Sequence, residues 1–225
     1  MPLVCYKLAD YDHNMREPER LLHFFADLNL HSSAELEAHG FNRNTLKRLT
    51  DEGRLIQFTR GLYLSPEALD QGNLSLAAIS MLREGVVCLL SAAAFHDIGD
   101  EVPPEVWFAV DRAKVKNAKI ASFEFSHQLV FWPAEYFDVG IEEVVIAGQK
   151  VSITNRARTV VDLLHNRNKL TEEVALRAFS DFLKTDGDMR EVWEIAIKLK
   201  RHDSLAAYLN MADELKESIP QRRGP

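Results

Sequence analysis

The feature that most narrows the fold lies in the first 65 residues, where three helix signals are followed by a stretch that cannot be helical. Glu17-Pro18 opens the first helix, because the N–H that proline lacks would be unpaired in a first turn anyway. Leu21, Leu22, Phe25 and Leu28 form its apolar stripe. Ser32-Ser33-Ala34-Glu35 has capping-box spacing, in which Ser32 and Glu35 satisfy each other's backbone donors. The short helix it starts carries Leu36 inward and stops at Gly40, a favourable residue just past a helix end. A third helix begins at Asn42 or Asn44, buries Leu46 and Leu49, and stops near Gly53. Two short helices joined by a glycine-bearing turn describe a helix-turn-helix. Leu55-Ile56-Gln57-Phe58-Thr59 then alternates apolar and polar, Arg60-Gly61 turns, and Leu62-Tyr63-Leu64 returns to Ser65-Pro66. That is a β-hairpin. Three helices and a hairpin predict a winged helix over residues 1–70.

Charge decides what such a unit would bind. The whole chain is acidic, with 27 Lys/Arg against 34 Asp/Glu and a formal charge of −7. A protein coated in positive charge is therefore excluded, and any nucleic-acid contact must be local. Residues 1–75 are themselves acidic, with eight Lys/Arg and eleven Asp/Glu. Yet from Phe41 to Tyr63 the bases Arg43, Lys47, Arg48, Arg54 and Arg60 face only Asp51 and Glu52. At about 100° per residue, burying Leu46 and Leu49 turns Asn44, Lys47, Arg48 and Asp51 outward, with Arg43 on the flank. Arg and Asn carry the planar donor sets that match guanine and adenine edges in the major groove. They stand in the N-terminal half of the helix, the end that enters the groove in such motifs. Arg60 at the hairpin tip is placed to reach a phosphate or the minor groove. The DNA-binding residues expected are thus Arg43, Asn44, Lys47, Arg48 and Arg60. The plainer reading, that Lys47 and Arg48 solvate an exposed face, loses ground because motif, hairpin and local charge coincide. A narrow basic face on an acidic protein also predicts weak non-specific DNA binding.

Residues 66–73 read as a linker. Beyond them, residues 74–84 are helical, 86–90 a short strand and 91–99 a small-residue helix. Strands are expected at 106–110, 122–125 and 129–132, and a hairpin of 144–146 with 151–153 turns around Gly148-Gln149. Helices at 155–165, 171–184, 189–200 and 204–217 complete the chain, with a mobile tail from Pro220. Strands followed by packed helices make residues 74–225 a mixed α/β domain ending in a helical bundle, and the fold class α+β.

Two groups of motifs carry a resemblance. Leu49-Thr50-Asp51-Glu52-Gly53-Arg54-Leu55, followed by Thr59-Arg60-Gly61-Leu62-Tyr63, resembles the winged helix of the AbiEi antitoxin family of type IV toxin–antitoxin systems, where a G-x-L…R-G-L-Y passage forms the wing. The run VVCLLSAAAFHDIG, starting at Val86, is similar to that family's S-x-x-S-A-A-x-L-H-G-L segment, departing at Phe95 and Asp97-Ile98. The run VSITNRARTVVDLL, starting at Val151, is similar to its V-x-V-T-x-P-A-R-T-L-x-D-L-L, with Arg156 where proline is common. The resemblance spans roughly residues 18–168. It implies a winged helix that binds inverted repeats in double-stranded operator DNA and represses its own operon. It also implies a C-terminal domain that counteracts a nucleotidyltransferase-like toxin without forming a stable complex with it.

Other chemistries find little support. Arg158 and Asp162 are four apart on a helix capped by Thr154 or Asn155. An exposed pair in that order is worth only tenths of a kcal/mol, so they read first as holding the helix to the preceding strand and second as antitoxicity residues. Ser91 and His96 lack a nucleophile elbow or a registered acid, and His96 with Asp97 reads as packing or capping. The eight histidines (His13, His23, His31, His39, His96, His127, His165, His202) show no metal spacing, and Cys5 and Cys88 make no CxxC. Glu214-Leu215-Lys216 is the sole Asp/Glu-x-Lys nuclease-type triplet, and it falls in a helix rather than a strand. No phosphate-loop or dinucleotide pattern exists. Trp107 and Trp132 read as core. No enzyme, metal or cofactor is expected. No apolar run reaches membrane-spanning length and the N-terminus lacks a signal-peptide pattern, which predicts a reducing, cytoplasmic setting with no membrane partner. The alternative reading is a winged-helix protein-interaction module, or a transcriptional regulator without antitoxin activity. The oligomeric state is open.

Overall fold

The computed structural model describes residues 15–114, 125–185 and 187–218. The expected strand at 122–125 therefore falls, apart from Phe125, outside the described residues, as do Cys5, His13 and the tail. The chain packs as two units, the first reaching Ala78 and including Ile146–Gln149, the second comprising the remainder.

In the first unit, α1 (Glu17–Phe24) has Pro18 in its first turn and runs on into a 3-10 turn, Phe25–Asp27. Leu21 and Phe25 are buried as expected, but Leu28 is not. The helix has already ended, and Leu28 takes a left-handed φ of 60° that swings it out to solvent. Strand β1 (His31–Ser32) leads into α2 (Ser33–Ala38), capped as predicted. Glu35 N–H donates to Ser32 Oγ at 3.1 Å, and Ser32 N–H to Glu35 Oε2 at 3.4 Å. Gly40, at φ +80°, reverses the chain so that Phe41 N–H reaches Leu36 O, the six-to-one bond that closes a helix with glycine. Helix α3 (Arg43–Asp51) is capped by Asn42, whose side chain accepts from Asn44 N–H at 2.8 Å. It ends at Gly53 with the same bond, Arg54 N–H to Leu49 O. The wing, β2 (Ile56–Thr59) and β3 (Leu62–Leu64), pairs antiparallel with a bulge between Gln57 and Thr59.

β1 adds an unexpected third strand, giving the order β1-β3-β2 with His31 opposite Tyr63. Two residues are too few for alternation to register in a sequence. Leu21, Phe25, Leu36, Phe41, Leu46, Leu49 and Leu55 form the core. The expected linker is an ordered 3-10 turn, Pro66–Asp70, with Ala68 buried and Gln71 Nε2 donating to Leu28 O at 2.6 Å.

The division between units falls inside α4 (Leu74–Leu82). Strand β4 (Val86–Val87) is shorter than expected because the backbone turns at once. Cys88 occupies the position before α5 (Leu89–Phe95) without a side-chain capping bond, and Leu89 is left-handed at φ 49°. β5 (Val106–Asp111), β6 (His127–Trp132), β7 (Ile141–Ile146) and β8 (Gln149–Thr154) complete a five-stranded sheet of order β6-β5-β4-β8-β7. β4 lies antiparallel to β5 and parallel to β8, while β5 and β6 run parallel. Ala147 and Gly148 join β7 to β8 with positive φ at both positions, the two-residue turn whose twist suits a hairpin.

Helix α6 (Arg156–His165) is buried from Ala157 to Leu164, as befits a helix enclosed on all sides. α8 (Glu172–Lys184), α9 (Met189–Lys198) and α10 (His202–Ser218) pack around it, and a short α7 (Arg167–Leu170) was not foreseen. Strands followed by packed helices make the fold α+β.

Candidate nucleic-acid interface

The outward face of α3 is the one the periodicity predicts. Leu46 and Leu49 are buried at 5% and 0% exposure, while Arg43, Asn44, Lys47, Arg48 and Asp51 are all exposed. Asn42 fixes where the helix begins, and its own N–H donates to Glu17 Oε1 at 2.7 Å, tying the start of α3 to the start of α1. Arg60 is exposed at the wing turn beside Gly61, whose φ of +83° suits glycine.

The five predicted residues are not electrostatically alike. Arg43 Nε is hydrogen-bonded to Glu37 of α2. Arg48 Nη1 donates to Glu52 Oε1 at 2.9 Å, one turn on. The neighbouring guanidinium holds the Glu37 carboxyl below the usual range. Lys47 and Arg60 have no acidic partner among the described residues, and Arg54 joins them in this. Sequence periodicity placed the cations; it did not show which would be ion-paired.

In the same unit His31 is buried, at 4% exposure, between two carboxylates. Its Nε2 lies 3.1 Å from Asp27 Oδ1 and its Nδ1 3.2 Å from Glu35 Oε1. Phe24 and Phe25 pack against the ring at centroid distances of 4.7 and 5.0 Å. Burial opposes the charge, but the hydrogen bonds and the two carboxylates outweigh it and raise the pKa to about 9. In the sequence His31 stands out only as one of eight scattered histidines. The i,i+4 spacing of Asp27, His31 and Glu35 was the signal available.

In the second unit Arg158 and Asp162 are both buried, at 0% and 1% exposure. Asn155 is the cap of α6, accepting from Arg158 N–H at 2.8 Å. Arg158 Nε donates to Asp162 Oδ2 at 2.9 Å, and its Nη1 to Val139 O at 2.6 Å and Tyr136 O at 3.2 Å. Its guanidinium lies 4.4 Å from the centroid of Trp132. Arg201 takes the other carboxylate oxygen of Asp162. This buried Arg–Asp–Arg cluster joins α6 to the loops after β6 and α9. Arg201 and Tyr136 gave no sequence signal, because neither sits at a helical spacing from Arg158.

Ser91 and His96 are not brought together. Ser91 Oγ accepts from Trp107 N–H at 2.9 Å, and His96 Nε2 lies 2.7 Å from Thr154 O. Trp132 is buried and Trp107 is half-buried against the core, and Cys88 is a buried thiol. Glu214 lies in helix α10. Among the described residues no group of His, Cys, Asp and Glu is arranged to hold a metal ion, and no helix is long and apolar enough to cross a membrane.

Comparison with curated proteins finds no match. Residues 19–66, from α1 through the wing, match the family model described as "Transcriptional regulator, AbiEi antitoxin". The match covers the whole helix-turn-helix and both wing strands, and it contains the passages at residues 49–55 and 59–63 that carry the first part of the resemblance. In that segment the winged helix of this chain is similar to those of transcriptional regulators described as AbiEi antitoxins.

Proposed function

We propose that the protein is the antitoxin and autorepressor of a type IV toxin–antitoxin operon. The observation that carries this is the exposed face of α3, where Arg43, Asn44, Lys47 and Arg48 stand clear of the core on the first two turns of a helix buttressed by Leu46 and Leu49. That helix enters the major groove of double-stranded operator DNA with its N-terminal half, and Arg60 on the wing reaches the adjacent backbone or minor groove. The operator is an inverted repeat, and occupancy represses the protein's own operon in the cytoplasm. The second unit counteracts a nucleotidyltransferase-like toxin without a lasting complex and without catalysis of its own. Arg158 and Asp162 serve antitoxicity by positioning α6, their charges being spent within the core.

The test is a gel shift with the DNA upstream of the gene, together with growth rescue in cells expressing the toxin encoded beside it. Retarded promoter DNA and restored growth are expected. A chain that leaves that DNA unbound, and that keeps its function after charge-neutral replacement of Arg43, Lys47, Arg48 and Arg60, would establish the protein-interaction reading instead.

A further inference from the structure

Two carboxylates on the α3 face are placed against what helix stability favours. Glu37 is in the last turn of α2 and Glu52 caps the C-terminal end of α3. The carbonyl ends of helices disfavour negative charge, and an Arg followed by Glu at i,i+4 is the weaker order of that pair. Their positions are accounted for by what they hold. Glu37 takes Nε of Arg43, leaving Nη1 and Nη2 without another partner among the described residues. Glu52 takes Nη1 of Arg48, leaving Nε and Nη2. Each arginine thus keeps a two-donor edge, the arrangement that fits guanine O6 and N7. The carboxylate behind it fixes the guanidinium plane and repels phosphate.

We infer that Glu37 and Glu52 are positioning residues for base readout. They present Arg43 and Arg48 in a guanine-reading orientation and lower affinity for DNA of the wrong sequence. This rests on the DNA-binding reading above, and it assigns to two residues the weak non-specific binding expected from the acidic composition. Preorganisation strengthens the specific complex because less side-chain freedom is lost on docking. In a non-specific complex, held through phosphates, the same carboxylates only repel.

The experiment measures the affinity of the full chain for its own promoter fragment and for a random duplex of equal length, by fluorescence anisotropy at fixed salt. The variants are Glu37→Gln, Glu52→Gln and, as control, Asp51→Asn. Asp51 is exposed on the same face and has no partner among the described residues, so its removal changes charge without releasing an arginine. Circular dichroism checks that each variant folds. Glu37→Gln and Glu52→Gln should each lower the promoter-to-random affinity ratio about two- to fivefold, the range an exposed ion pair can supply. Asp51→Asn should raise both affinities and leave the ratio unchanged. The inference is overturned if wild type prefers the promoter and both glutamine variants keep its ratio, or if Asp51→Asn lowers the ratio as much. A wild-type chain that shows no preference for the promoter overturns the DNA-binding reading itself, and this inference with it.

Discussion

His31 should make the winged helix lose stability as the pH rises, contrary to the usual acid sensitivity of small domains. Its pKa stands at about 9 in the fold against 6.5 for an ordinary histidine, so the protonated form is favoured by about 3 kcal/mol. Asp27 and Glu35 are about one third exposed, so solvent screening reduces this to about 2–3 kcal/mol. Because the folded pKa lies above the unfolded one, the contribution is complete below pH 6.5 and disappears as the pH passes through 9. The same ion pairs, seen from the carboxylates, hold Asp27 and Glu35 below their usual range. Protonating them in acid, through their lowered folded values, removes the contribution from the other side. Maximal support therefore falls between about pH 4.5 and 6.5. The assay is urea unfolding of wild type and His31→Gln at pH 6 and pH 9.5, with the His31 ring titrated by NMR. The difference between the two proteins should be about 2–3 kcal/mol at pH 6 and fall below about 1 kcal/mol at pH 9.5. An unchanged difference, or a ring that titrates at or below 6.5, would show that Asp27 and Glu35 do not hold His31 protonated in the fold.

Three further outcomes follow from packing. Asp162→Asn leaves Arg158 and Arg201 buried without a counter-charge and should destabilise the second unit by about 3–5 kcal/mol. A loss under about 1 kcal/mol in urea unfolding would show that the cluster contributes little to the core. Gly140→Ala places a Cβ 2.6 Å from Arg158 Cβ, at a φ of +63° that favours glycine. It should cost at least about 1–3 kcal/mol by overpacking, and a melting temperature equal to wild type would contradict that geometry. Leu49→Ala, at the fully buried centre of the first core, should cost about 2–5 kcal/mol and reduce promoter binding in proportion to the folded fraction, checked by circular dichroism beside a gel shift.

The winged helix was legible because its signals are local. Ser32 and Glu35 cap each other over four residues, Gly40 and Gly53 stop helices where a left-handed residue is required, and Leu46 with Leu49 sets the orientation of α3. Whatever depended on distant partners was not legible. β1 exists only because β3 returns beside it, and the departure of Leu28 from its stripe follows from a 3-10 turn that periodicity does not report. The Arg158–Asp162 pair was visible as a spacing. Its burial was not, since Arg201 lies 39 residues away. On the α3 face the cations could be placed from the sequence, but the carboxylates that pair with Arg43 and Arg48 come from another helix and from a helix end.

If α3 is the recognition helix, promoter binding must weaken steeply with salt and depend on the cations of that helix. Lys47→Ala and Arg48→Ala should each weaken promoter binding, by about 1–3 kcal/mol where the side chain reads a base. The variant that removes a phosphate contact should also flatten the slope of log affinity against log salt by about one. If both variants bind the promoter as wild type does, with the same salt slope, α3 is not the recognition helix.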